Sequence, residues 1–174
     1  MNIRPELLAE AWHLAAERHK TSYLLHLGWV WTEMAVALEH EPDPDGELSL
    51  LCAILHDTME DTNTSWEELA QRFGERVANG VDALSKRDDH PDPMGDSLAR
   101  IRQQPKAVWK VKLADRVTNL APPPKRWTRE KCARYLAEAQ RIAEALGEAS
   151  PALLSRLQRR MERYPEYWPE ASAE

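Results

Sequence analysis

Six consecutive residues, His56-Asp57-Thr58-Met59-Glu60-Asp61, place one imidazole and three carboxylates within two helical turns. They follow an apolar run, Leu50 to Leu55. A histidine beside an aspartate at the end of such a run is costly to bury unless both are paired or bound to a metal. If the helix continues, His56 and Glu60, four residues apart, share one face. A divalent ion needs further ligands. The best remaining histidine is His26, set between Leu25 and Leu27 in an apolar stretch. The best remaining aspartate is Asp115, in VKLADRVTNL. Two histidines and two aspartates suit Mn²⁺, Fe²⁺ or Zn²⁺ and suit Ca²⁺ poorly. Glu60 and Asp61 are then left to handle protons. Each residue also has a plainer reading: His26 as a core histidine, Asp115 as the ion-pair partner of Arg116, and Glu60 and Asp61 as solvated acids. The buried histidine–aspartate pair argues for the metal reading of the set.

The elements that must position these groups read as helices. Pro5 opens a helix to about Lys20. A second, from about Ser22 to His40, is apolar nearly all round and is expected to be central. After the loop EPDPDG, residues 41–46, ELSLLCAILHD forms a third, followed by a polar turn over TMEDTNT. Ser65 and Glu68 have capping-box spacing for a helix that Gly74 ends. ERVANGVDALSK is the next helix, KRDDHPDPMGD a loop and DSLARIRQQ a short helix. A longer helix runs from about Pro105 to Leu120. Thr128 caps another to Leu146, and Ser150 with Pro151 starts a last one to Tyr164. No strand and no repeat is apparent. The expected fold is all-α: a single helical bundle over residues 1–164 with the metal site at its centre, and a frayed tail over 165–174.

Bulk properties exclude several classes. A length of 174 residues, with 43% hydrophobic and 30% charged residues, suits one soluble domain. A formal net charge of −6 argues against nucleic acid as partner and requires cations to be concentrated wherever a polyanion binds. No apolar run approaches membrane-spanning length. Cys52 and Cys132 fit no metal-binding spacing and read as buried free thiols of a cytoplasmic protein. The oligomeric state stays open, with Trp168 as a possible interface residue.

HDTMEDT resembles the signature of HD-domain hydrolases of the Rel/SpoT type, including small stand-alone alarmone hydrolases. Other segments follow in the family's order: YLLH at 23–26, FGERVANGVDALSK at 73–86, KLADRVTNL at 112–120 and WTREKCARYLAEA at 127–139. The likeness spans about residues 10 to 146. It implies one divalent ion, usually Mn²⁺, on His26, His56, Asp57 and Asp115. It implies a water-activating pair in Glu60 and Asp61. Asn119 would contact the nucleotide sugar, Lys131 and Tyr135 would line the substrate pocket, and Lys86 matches a lysine of a less defined role. The implied activity is removal of the 3′-diphosphate of guanosine tetraphosphate or a related small nucleotide. Three alternatives stay open: a nucleotide phosphatase of different base preference, a nucleotide-binding module without turnover, and a helical interaction protein. One departure bears on specificity. The family's basic, glycine-containing loop before the first metal histidine is shortened here to KTS between His19 and Tyr23. The arginine that packs on guanine is lost, and Arg18 or Lys20 is the nearest replacement.

Overall fold

The computed structural model describes residues 3–87 and 89–169. Among these residues ten α-helices follow one another: α1 Pro5–Arg18, α2 Leu24–His40, α3 Gly46–Leu55, α4 Thr58–Asp61, α5 Trp66–Phe73, α6 Glu75–Leu84, α7 Pro93–Ile101, α8 Lys106–Asn119, α9 Arg129–Leu146 and α10 Pro151–Arg163. Among the described residues there is no strand, and no helix is long and apolar enough to cross a membrane. The expected caps form: Ser65, Thr128 and Ser150 each accept the backbone N–H three residues on. Gly74, at φ 88°, ends α5 and starts α6, a left-handed turn that favours glycine. Only half of the capping box is made, because the Glu68 carboxylate pairs with Arg18 at 2.8 Å.

Three boundaries differ from the sequence reading. The turn after Asp57 contains a single helical turn, α4. Helix α7 starts at Pro93, earlier than expected, because the Asp92 carboxylate accepts the Gly95 N–H and makes Asp92 a cap. The tail does not fray at Pro165. Tyr164–Tyr167 form a 3₁₀ turn, and Tyr167 and Trp168 pack against the core, with the Arg129 guanidinium 5.3 Å from the Trp168 ring. Residues 170–174 lie outside the described residues.

Helices α2, α3 and α8 all pack on one another, with α1 and α6 against α3 and α10 against α8. Helix α2 is among the central helices, as expected, but it is not buried all round. Its Leu25, Trp29 and Val36 are exposed, whereas α3 is buried from Leu48 to Leu55 and α8 from Ala107 to Val117. Helix α8 is hard to recognise as central because its buried stretch includes Lys110, Lys112, Asp115 and Arg116. Each has a partner: Lys110 pairs with Asp43 at 2.6 Å, Lys112 with Asp115 at 3.5 Å and Arg116 with Glu138 at 3.2 Å. Pairing makes such burial tolerable.

Both cysteines are buried free thiols, and burial pushes the Cys52 thiol up to about 12. Cys52 also marks a close helix contact. A methyl group on Gly80 of α6 would stand 2.8 Å from the Cys52 sulfur and 3.1 Å from Val108. Gly80→Ala is therefore expected to destabilise the protein by about 1–3 kcal/mol through overpacking. The melting temperature should fall by roughly 2–4 °C for each kcal/mol. A thermal melt followed by circular dichroism checks this, and an unchanged midpoint would contradict the close packing of α6 on α3 and α8.

Candidate active site and metal centre

Helix α3 stops at Leu55, where the Thr58 hydroxyl donates to the Leu55 carbonyl at 2.7 Å. Asp57, at φ −102° and ψ 1°, turns the chain before α4 begins. His56 and Glu60 are thus not on one face of a continuous helix. The break divides the six-residue motif into an inner half, buried His56 and half-buried Asp57, and an exposed half, Glu60 and Asp61.

His56 is 2% exposed. Its Nδ1 lies 3.0 Å from the Ala53 carbonyl. A carbonyl can only accept, so Nδ1 carries the proton and Nε2 is free to act as a ligand. From α2, His26 brings its own Nε2 to 3.4 Å from that nitrogen. Asp57 Oδ2 stands 3.0 Å from His56 Nε2 and 3.8 Å from His26 Nε2. Asp115 Oδ1, from α8, stands 3.4 Å from His26 Nε2 and 3.8 Å from His56 Nε2. Around a small divalent ion with bonds of about 2.1 Å, neighbouring ligand atoms lie about 3.0 Å apart at right angles and about 3.4 Å apart at the tetrahedral angle. His26, His56 and Asp57 offer ligand atoms within 4.8 Å of one another, and Asp115 reaches both imidazoles. Two imidazoles and two carboxylates from three helices can therefore hold one divalent ion.

The surrounding electrostatics fit a cation at this point. Burial pulls the His56 imidazole down, but the Asp57 and Asp115 carboxylates outweigh it and raise it to about 9. Burial pushes Asp57 up, while the facing His56 holds it at about 2. Burial acts on Asp115 in the same sense, and Lys112, with both imidazoles, keeps it well below the usual carboxylate range. Outer partners orient the carboxylates. The Tyr23 hydroxyl donates to Asp57 Oδ2, the oxygen that faces His56. Burial and the Asp57 charge raise Tyr23, so it stays a donor. The Asn119 amide donates to Asp115 Oδ1, and Lys112 lies on Oδ2.

Above this centre is a cavity of about 230 Å³. Of the residues expected for the site, Asp57, Glu60, Asp61, Lys86, Asp115, Asn119 and Tyr135 line it. Glu60 Oε2 accepts the backbone N–H of Lys86 at 2.7 Å, which ties α4 to the segment after α6. A larger hollow, about 340 Å³, lies elsewhere beside Arg4, Phe73 and Arg76 and contains none of the expected residues.

Lys131 is placed differently from the expectation. It is exposed, with its ammonium 4.5 Å from the Trp127 ring, and it does not line the cavity. The cause is local. Thr128 caps α9, so Lys131 sits in the first turn, where side chains lean back toward the helix start. Three other residues line the cavity: Tyr23, Lys112 and Arg116. Lys112 is legible in the sequence only as one of several basic candidates. Tyr23 could have been found from its spacing, one turn before His26. Arg116 does not pair with Asp115; it turns to Glu138 and Tyr135 on α9. Arg18 is held by Asn63 at 3.0 Å and by Glu68. Of the two cations near the shortened segment, only Lys20 is left exposed.

No protein-family model matches the chain. Individual relatives do. The chain is 32% identical over 175 residues to guanosine-3′,5′-bis(diphosphate) 3′-pyrophosphohydrolase MESH1 of Xenopus tropicalis, covering 90% of this chain and 94% of that protein. It is 30% identical over 170 residues to the Danio rerio protein of the same name, covering 87% and 91%. A solved structure described as a metazoan ortholog of SpoT that hydrolyses ppGpp superposes with a TM-score of 0.80 at 22% identity, covering 94% of this chain and 98% of that one. At that identity the likeness speaks for the fold. The helical bundle with a histidine–aspartate centre is that of an HD-type hydrolase. The chain belongs to the family of the guanosine-3′,5′-bis(diphosphate) 3′-pyrophosphohydrolases MESH1.

The geometry predicts that His56→Ala and Asp115→Ala lose the bound divalent metal, as read by elemental analysis after purification with Mn²⁺. Tyr23→Phe should keep the ligands but weaken affinity by about 10–100-fold, the usual effect of losing an outer partner. Metal content equal to wild type in both alanine variants would refute the shared centre.

Proposed function

We propose that this protein removes the 3′-diphosphate of guanosine 3′,5′-bis(diphosphate) by hydrolysis, with Mn²⁺ as the preferred ion. The observation that carries this reading is the layering of the site. Four candidate ligands lie at its floor, and Glu60 and Asp61 stand over them in one cavity large enough for phosphate groups. His26, His56, Asp57 and Asp115 would hold the ion. When bound, it lowers the pKa of water and polarises a phosphoryl oxygen. Glu60 is steadied through Oε2 by the Lys86 N–H, which leaves its other oxygen to accept the proton as water attacks phosphorus. The bond from that phosphorus to the 3′ oxygen breaks, and the sugar oxygen takes up a proton. Asp61 is the second acid of the pair. Tyr135 and Asn119 border the cavity where the nucleotide would lie, and Lys86 adds charge at its mouth.

Charge supports a polyanionic substrate. The cavity wall has four carboxylates and three cations, Lys86, Lys112 and Arg116. A divalent ion turns that balance from net negative to net positive. The two buried thiols support a reducing, cytoplasmic setting for the reaction.

A second reading, looser base preference, is favoured by one observation. The segment from His19 to Tyr23 is short, and Arg18 beside it is committed to Asn63 and Glu68. A cation stacked on a base contributes on the order of 1–2 kcal/mol when desolvated, roughly a factor of ten in affinity. Guanine and adenine substrates with the same phosphates should then differ by no more than about tenfold in kcat/KM. A preference of about a thousandfold would show that another group, Lys20 first, reads the base.

Glu60→Gln and Asp61→Asn should retain metal while turnover falls by about 10²–10⁴. Pyrophosphate release from guanosine tetraphosphate in Mn²⁺ is the measurement. Near-wild-type rates in both variants would remove these residues from the chemistry, and no release by wild type would overturn the substrate assignment.

A further inference from the structure

We propose that Arg116 provides the guanidinium that holds a phosphate group of the substrate beside the metal centre, the part that resemblance gives to the basic residue at position 131. The inference rests on the phosphohydrolase reading and names a binding group for it.

Arg116 follows Asp115 on α8 and is 1% exposed, yet it lines the cavity. Three contacts fix its guanidinium. The Cζ atom lies 4.1 Å from the centre of the Tyr135 ring, Nη1 donates to the Tyr135 carbonyl at 3.4 Å, and Nη2 donates to Glu138 at 3.2 Å. Its Nε has no hydrogen-bond partner among the described residues. A buried N–H donor without an acceptor is costly, and here it belongs to a permanently charged, planar group, the form best suited to phosphate oxygens.

Lys86 also lines the cavity, but as a single-point charge at its mouth and not a planar fork; two other cations are placed less well for this task. Lys112 is already on Asp115 at 3.5 Å. Lys131 faces outward over Trp127. Trp127 meets the edge of the Tyr135 ring at 5.1 Å, so Lys131 and Arg116 are linked to the same tyrosine through different neighbours. Arg116 is the one on the cavity side. Its contacts with Tyr135 and Glu138 also give it a part in joining α8 to α9, so the test must separate anchoring from binding.

The test uses the full chain loaded with Mn²⁺ and titrates inorganic pyrophosphate by calorimetry. Wild type, Arg116→Met, Arg116→Lys, Lys131→Met and Glu138→Gln are compared, with metal content and melting temperature measured on each. Lys131→Met is expected to bind within twofold of wild type. Arg116→Met should bind at least tenfold more weakly with its metal retained, and Arg116→Lys should fall between. Glu138→Gln, which removes an anchor but keeps the guanidinium, should lower the melting temperature more than the affinity. Pyrophosphate binding by Arg116→Met within twofold of wild type, a tenfold loss in Lys131→Met, or no binding by wild type would each overturn the inference. If Arg116→Met does not fold, Arg116→Lys decides: wild-type affinity there overturns it, and a fivefold or greater loss with metal retained upholds it. Wild type that binds pyrophosphate but releases none from guanosine tetraphosphate would refute the substrate reading, leaving the titration to judge Arg116 by itself.

Discussion

The middle of this molecule is a helix that buries charge. Lys110, Lys112, Asp115 and Arg116 all lie inside the packing of α8 against α2, α3 and α10. Removing a charge from water costs several kcal/mol, recovered only through close partners. The partners come from the segment between α2 and α3, from α8 itself, from α9, and from His26 on α2. Meeting that requirement draws the helices to one point. Of these four residues, Asp115 is the candidate metal ligand, and it ties α8 to His26 on α2 and to His56 at the end of α3.

The same constraint gives the site its layers. His56 and Asp57 stay inside because α3 delivers them at its buried end, and the turn at Asp57 lifts Glu60 and Asp61 to the cavity above. Had α3 run on, His56 and Glu60 would have shared one face, and the acids would have been drawn toward the ligands. Tyr23 and Asn119 each donate to an oxygen that faces an imidazole, so ligand orientation does not depend on the ion alone. Three cations, Lys86, Lys112 and Arg116, offset most of the charge of the four carboxylates around this cavity, and a divalent ion would turn the balance positive.

The short segment before His26 meets the candidate metal centre through Tyr23. His19 stacks on Tyr23 at 5.0 Å, and Tyr23 reaches Asp57. Arg18, just before that segment, is turned to α5. The candidate metal centre and the approach to it are thus set by different parts of the chain: the first by three packed helices, the second by a few residues between α1 and α2.

The sequence by itself determined what is local. Helix starts at Trp66, Arg129 and Pro151 follow from the caps Ser65, Thr128 and Ser150, and the stop at Phe73 from Gly74, because each signal acts within about one turn. That the four candidate ligands would converge, with Glu60 and Asp61 beside them, was also legible, since a buried histidine–aspartate pair has few inexpensive explanations. What only the tertiary structure decided depends on partners far along the chain. Lys110 is buried because Asp43, 67 residues away, meets it. Arg116 turns from its neighbour Asp115 to Glu138, 22 residues on. Helix α2, apolar in composition, exposes Leu25, Trp29 and Val36, while charged α8 goes to the core. Lys131 and Arg116 are both basic residues near Tyr135, and no local pattern tells which one faces the cavity. That is set by the register of α9 on α8, a property of packing and not of either segment.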